Sequence, residues 1–454
     1  MTNENILGSK PIPELLVKFA VPSVISMLVN SIYNLVDQIF IGWGVGYLGN
    51  AATNVAFPFV TLSLAVALMI SVGTAANVGL NLGRKHQKEA DQTLGNGFTL
   101  AVIAGIVILI LSELFMVPLL KLFGGTEAVL PLAVDYARIY MLGTPFITIG
   151  IMMNDEIRAD GNPAYAMKNM LLGAIVNIIF DPIFIFICHW GVKGAALATI
   201  MGQCVTMIGA LLYLKKMRTL TFYRKNLKLK AAIVRGILAL GSSSFITQIS
   251  MLFMQIVMNQ QTIKYGALSK YGTDIPLTVF GIVMKINQIM MSIILGITTG
   301  SQPIFSFNYG ARQFDRVKKL VKTTLLYCTI VGFTGMLVLQ FFPQQIINIF
   351  GQEDALYNEF AVMCLKNMTI FIFVMSVQMV ASVYFQAVGK PFGALVLALS
   401  RQILFMIPCL MILPVFFGIK GVMWSFPVSD ICSVILGGFM LAFEIRILNK
   451  GMKQ

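Results

Sequence analysis

The sequence predicts an all-α integral membrane protein, with twelve transmembrane helices in two six-helix lobes related by a pseudo-twofold repeat. Three observations predict this fold. The chain is overwhelmingly apolar, its basic residues fall in alternate loops, and its two halves repeat. Of 454 residues, 57% are hydrophobic and 11% charged, and the mean hydropathy is +0.83. That lies far above the range of soluble globular domains.

The helices follow from the apolar runs. A hydrocarbon core about 30 Å thick takes about 20 apolar residues of helix to cross. Runs of that length recur from end to end, as in LAVIAGIVILILSELFMVPLL, Leu100–Leu120. Period-two alternation, which a barrel would need, is absent. Hydropathy and breakers place helices near 14–42, 52–81, 92–122, 132–156, 164–188, 194–214, 231–262, 275–306, 318–344, 358–386, 392–415 and 420–446. Several are long enough that they must tilt, kink or extend beyond the bilayer. The opening residues, MTNENILGSKPIPELLVKFAVPSVI, lead straight into the first span with no evident cleavable signal.

The basic residues set the orientation. A net charge of +14 raises the possibility of nucleic acid, but its distribution points to a membrane. KKMRTLTFYRKNLKLK, Lys215–Lys230, carries seven Lys or Arg residues, and others cluster in GRKHQKEAD and GARQFDRVKK. The alternate segments GWGVGYLGNAA and FGQEDALYNE carry none. This is the positive-inside bias. It predicts a multi-pass protein of the cell inner (plasma) membrane with both termini cytoplasmic.

The repeat sets the domains. NLGRKHQKEA at Asn81 is echoed by NYGARQFDRV at Asn308, RADGNP at Arg158 by QAVGKP at Gln386, and GVKGAALAT at Gly191 by GIKGVMWSF at Gly418. The offsets are 227, 228 and 227 residues. One register for three matches implies two fused copies. We read an N-lobe over 1–214, a basic cytoplasmic linker over 215–230 and a C-lobe over 231–454. Six helices per copy bring both halves in from the same side, so the repeat is parallel and encloses a central cleft.

Polar residues inside spans mark function by default. In VNSIYNLVDQIFIG, Asn30, Asn34 and Asp37 are four and three apart and share a helix face, with Tyr33 one turn before Asp37. In NIIFDPIFIF, Asn177 and Asp181 are also one turn apart, and Pro182 frees a backbone carbonyl beside the carboxylate. Two carboxylates with amides make an oxygen-rich pocket of the kind that holds Na⁺, and the same acids could carry a proton. The competing reading is that they hydrogen-bond a helix junction. The repeat register sets Leu404 and Pro408 opposite Asn177 and Asp181, and MLFMQIVM, with Gln255 but no acid, opposite Asp37. Carboxylates at depth are therefore expected in the N-lobe only.

Other polar positions are candidates for a substrate cleft: Asn154, Glu156, Gln255, Asn287 and Gln378, with Gln248 and Gln288. Each has an alternative as a helix-to-helix hydrogen bond, and Glu156 has one as an ion pair with Arg158. Arg401, inside an apolar run, is expected to snorkel or to pair within the bundle. The six cysteines are scattered without a CxxC, and His86 and His189 are the only histidines. No phosphate-binding GxxxxGK[ST] and no catalytic histidine constellation occur. The expectation is a carrier, not an enzyme, with no cofactor and no metal beyond Na⁺. It would act as a monomer on small molecules within membrane lipid, with no nucleic-acid partner.

These residues resemble the multidrug and toxic compound extrusion (MATE) family along nearly the whole chain. The likeness rests on the run from Pro22 through Asn30 to Asp37, on RADGNP, NIIFDP and GVKGAALAT, and on the twelve-helix repeat with its basic central loop. It is closest to the bacterial branch with MepA-like and DinF-like exporters. The resemblance implies secondary active efflux of cationic or amphipathic drugs in exchange for Na⁺ or H⁺. It also implies a cation site at Asp37, Asn177, Asp181 and Thr199, the threonine closing GVKGAALAT. The alternatives are a lipid-linked precursor flippase of the same superfamily, or export of an endogenous metabolite. A third is a receptor or structural membrane protein, against which the paired acids and the repeat both argue.

Overall fold

The computed structural model describes residues 6–349 and 355–451. After a short turn, α1 (Ile6–Ser9), the first bundle is α2 (Ile12–Val45), α3 (Tyr47–Gly83), α4 (Gln87–Leu122), α5 (Leu130–Leu142), α6 (Thr144–Ala159), α7 (Pro163–Pro182) and α8 (Gly191–Tyr213). The second is α9 (Ala231–Ala267), α10 (Asp274–Gly310), α11 (Phe314–Phe341), the short α12 (Pro343–Asn348), α13 (Ala355–Thr369), α14 (Met375–Ala387), α15 (Pro391–Leu399), α16 (Ile407–Phe417) and α17 (Ile419–Gly451). Among the described residues there is no strand.

Among the described residues, ten crossings are continuous helices long and apolar enough to span a bilayer. The other two, expected as single helices near 132–156 and 358–386, are each broken. α5 stops at Gly143, and α6 restarts with Pro145 in its first turn, where a missing N–H costs nothing. The second break, between α13 and α14, falls at the matching place in the repeat. Its residues, IFIFV, include neither proline nor glycine, and we have no local account of it.

The fifth crossing of each half also departs from α-geometry. α7 passes at Pro182 into a π-helical turn, Ile183–Ile187, and α15 passes into another, Ser400–Met406. At Pro182 the missing N–H cannot donate to the preceding turn, and the helix responds by widening.

The halves meet where backbones approach closely. A Cβ on Gly73 of α3 would overlap the Ile237 carbonyl of α9. One on Gly300 of α10, in the same repeat register, would stand 2.8 Å from Ala20 Cα of α2. Gly83 and Gly310, from the repeated Asn-x-Gly motif, likewise leave no room for a side chain against Phe307 and Leu80. Ser31 and Ser292 add a hydroxyl pair at 2.6 Å. The start of α2 crosses over, and Leu15, Leu16 and Phe19 share a core with Phe305, Leu320 and Tyr384 of the second half. Small residues serve this purpose where lipid supplies no hydrophobic drive between helices.

The segment after α8 is fastened to the first bundle. Asp160 accepts from the backbone N–H of Arg218, Thr219 and Leu220 at 2.8, 2.7 and 3.1 Å, and from the Tyr213 hydroxyl at 2.8 Å. Asn96 accepts from Lys230 N–H at 2.6 Å and donates to the carbonyls of Asn226 and Lys228. Irregular backbone is thus satisfied by side chains.

Candidate cation site

α7 and α8 lie face to face along a seam of small and polar residues. On α7 the seam is Asn177, Gly173, Asn169 and Tyr165, each one turn from the next. A Cβ on Gly173 would overlap Thr206 Oγ1 and stand 2.7 Å from the Gly202 carbonyl. Asn169 donates to the Thr206 carbonyl at 2.8 Å, and the Tyr165 hydroxyl to that of Gly209 at 2.8 Å. This close approach brings Asn177 level with Thr199. Asn177 Nδ2 donates to Thr199 Oγ1 at 3.4 Å, and Thr199 donates in turn to the Ala195 carbonyl at 3.1 Å.

Asp181, one turn beyond Asn177, is fully buried, and Asp37 of α2 is 8% exposed. The two carboxyls are neighbours where α2 packs on α7. As carboxylates neither can donate. Asp37 Oδ1, Asn177 Oδ1 and both oxygens of Asp181 have no hydrogen-bond partner. Four buried oxygens without a donor are unfavourable unless a cation or a proton joins them. Two carboxylates, an amide oxygen and a hydroxyl suit a hard monovalent ion. Among the described residues no cluster of three His, Cys, Asp or Glu side chains offers a tighter metal site.

The structure places the remaining sequence candidates as follows. Tyr33 lies beside Asp37. Asn30 and Asn34 bond to each other, Nδ2 to Oδ1 at 2.9 Å, and Asn34 is exposed. Asn154 accepts from Asn169 at 3.1 Å. Gln378 donates to the Leu397 carbonyl at 3.0 Å, and Gln255 to Asn259 at 3.2 Å. Asn154 and Gln378 thus tie neighbouring helices, whereas the Gln255–Asn259 bond stays within α9. Asn287 Oδ1 is buried without a partner. Glu156 is fully buried and unpaired, because Arg158 bonds to Asp155 instead. The expected Glu156–Arg158 pair is therefore corrected. At i,i+3 the Asp155 carboxylate meets the guanidinium, whereas the Glu156 side chain turns into the bundle.

Two features escaped the sequence reading. Tyr136 and Tyr140 of α5 stack at 6.0 Å within the buried core that also holds Ile41 of α2. Their i,i+4 spacing in DYARIYML was the available signal. The second half also has a carboxylate at depth, Asp430, 4% exposed, against the expectation that only the N-lobe would. It pairs with Arg401 at 3.4 Å. Register with Asp37 and Asp181 could not reveal it, since it stands on a different helix.

Two repeated helical bundles with buried polar groups in a membrane define a multi-pass transporter. Residues 22–183 and 243–412 match the family described as MatE, and the chain belongs to that family. It is 24% identical over 426 residues to the multidrug export protein MepA of Staphylococcus haemolyticus strain JCSC1435, covering 93% of this chain and 92% of that protein. It is 23% identical over 438 residues to MepA of Staphylococcus aureus strain RF122 / ET3-1, covering 96% and 94%. A solved outward-facing multidrug resistance MATE family transporter of the MOP superfamily superposes with a TM-score of 0.93 over 99% of both chains, at 24% identity. MATE structures described as straight and bent score 0.92 and 0.89.

Proposed function

We propose that this protein is a secondary active exporter of small cationic or amphipathic molecules, driven by inward movement of Na⁺ or H⁺. The observation that carries the ion coupling is the set of buried, donor-less oxygens on Asp37, Asn177 and Asp181 beside Thr199. Multidrug export is the named activity of the MepA relatives, and their alignment with nearly the whole chain supports the cargo class.

In this reading the face with the basic turns and linker is cytoplasmic, and the chain acts as a monomer in the plasma membrane. The ion binds within the N-lobe between α2, α7 and α8, and cargo binds the cleft between lobes. Ion occupancy works by favouring one arrangement of α2 over another, since a ligand shifts an equilibrium only through differential affinity. The test is drug uptake into inverted vesicles under separate Na⁺ and pH gradients. Uptake that follows one gradient supports the reading. Uptake that follows neither removes it.

A further inference from the structure

The ion site described above leaves one buried charge pair of the C-lobe unused. Asp430 on α17 accepts from Arg401 Nε at 3.4 Å, and the Arg401 guanidinium otherwise meets the thioether of Met375 at 3.3 Å. The side chains are 5% and 19% exposed. Arg401 is the second residue of the π-helical turn Ser400–Met406, and the neighbouring Gln402 Oε1 is buried without a partner. Arg401 is the charged group that acts on Asp430. The packed helices α14, α15 and α16 contain no Asp, Glu, Lys, Arg or His. The charges of α9 are Arg235 and Lys264, and those of α13 are Glu359 and Lys366, toward the helix ends. On α17 itself, Lys420, Glu444 and Arg446 stand more than two turns away, and the thiols Cys409 and Cys432 complete the titratable groups nearby.

The two lobes can be compared directly. Each has a buried carboxylate near a π-helical turn of its fifth crossing. In the N-lobe, Asp37 and Asp181 face each other with no basic partner. In the C-lobe, a guanidinium is built into the chain.

We propose that Arg401 is a tethered cation. It takes, beside Asp430, the place that an exchangeable ion takes in the N-lobe, and so keeps a latent monovalent-cation site in the C-lobe closed. This rests on the reading of the N-lobe as the ion site. A buried carboxylate stripped of its counter-charge is strongly unfavourable. Without Arg401, Asp430 recruits a proton or a small hard cation from solution. With Arg401 present, the C-lobe does not respond to the ion, so occupancy alters one lobe against a fixed partner.

The test uses the full chain in detergent, with thermal unfolding followed across Na⁺ concentration at constant ionic strength and across pH. In Asp37→Asn/Asp181→Asn protein the midpoint is expected to be flat in Na⁺. Adding Arg401→Gln should lower the midpoint by several degrees and make it rise again with added Na⁺ or with falling pH, which protonates Asp430. Adding Asp430→Asn should remove both the loss and the dependence. A midpoint that stays flat after Arg401→Gln overturns the proposal. If Arg401→Gln alone gives no stable protein, recovery of yield and midpoint in Arg401→Gln/Asp430→Asn supports it, and failure to recover overturns it. A wrong N-lobe reading shows separately, as ion dependence persisting in the Asp37→Asn/Asp181→Asn protein with Arg401 intact.

Discussion

Asn177 on α7 donates to Thr199 on α8 at 3.4 Å while its own Oδ1, beside Asp181, has no partner. The donor end of the amide is thus held by the neighbouring helix, and the acceptor end is left facing the carboxylates. That arrangement orients an oxygen toward a cation, and it depends on α7 and α8 staying in register.

Thr199→Ala should weaken the ion response without abolishing it. It removes one oxygen and frees Asn177 Nδ2, a loss on the scale of ~1 kcal/mol, or about fivefold in ion affinity. Transport rate against Na⁺ concentration and pH, for two unlike drugs, measures it. An unchanged ion dependence would remove Thr199 from the site.

Gly173→Leu should damage both fold and coupling. Its side chain would press on Thr206 and the Gly202 carbonyl, 2.7 Å from the new Cβ. Overpacking of this kind costs about 1–3 kcal/mol, and it parts Asn177 from Thr199. The variant should melt lower than wild type and need more ion for half-maximal transport. Gln255→Ala, which breaks only a bond to Asn259 within α9 of the other lobe, should leave ion dependence alone.

Gly310→Val should open the basic face. The added bulk meets Leu80 across the seam, where backbones now touch. Spin labels on exposed Gln87 and Gln313 should report a longer distance than in the parent protein. An unchanged distance distribution would show that the seam does not hold this face shut.

The linker offers a test of orientation. Asn226 is buried, so the exposed Lys225 is the better labelling position. Cys188, exposed at the far end of the fifth crossing, serves as the internal control. In intact cells an impermeant thiol reagent should modify Cys188. It should spare Lys225→Cys, made in a Cys188→Ser background, until the membrane is opened. Labelling of Lys225→Cys from outside reverses the topology.

Much of this was legible because membranes simplify the code. Apolar length gave the spans, and the shared offset of three motifs gave the repeat. Asn177 and Asp181 stood out because amides and acids are costly in an apolar run. Thr199 did not, since a threonine among small residues looks like packing, and only the family resemblance supplied it. Asn34 looked like a site residue by spacing, and in the structure it is exposed with its amide bonded back to Asn30. Asp430 carried the same signal, an acid in the apolar run VMWSFPVSDICSVILGG, but the repeat register with Asp37 and Asp181 does not reach it, and its pairing with Arg401 on another helix leaves no local signature. The break between α13 and α14 carries no proline or glycine to announce it.

The most direct measurement is ion binding by purified wild type, Asp37→Asn and Asp181→Asn, each at equal folded concentration. Calorimetry would follow Na⁺, and a pH electrode would follow proton uptake. Wild type should show saturable binding of one of these ions, and each variant should lose it while remaining folded, since neutralising a buried carboxylate also removes a desolvation cost. Wild-type binding that survives in both variants would contradict the placement of the ion between α2, α7 and α8.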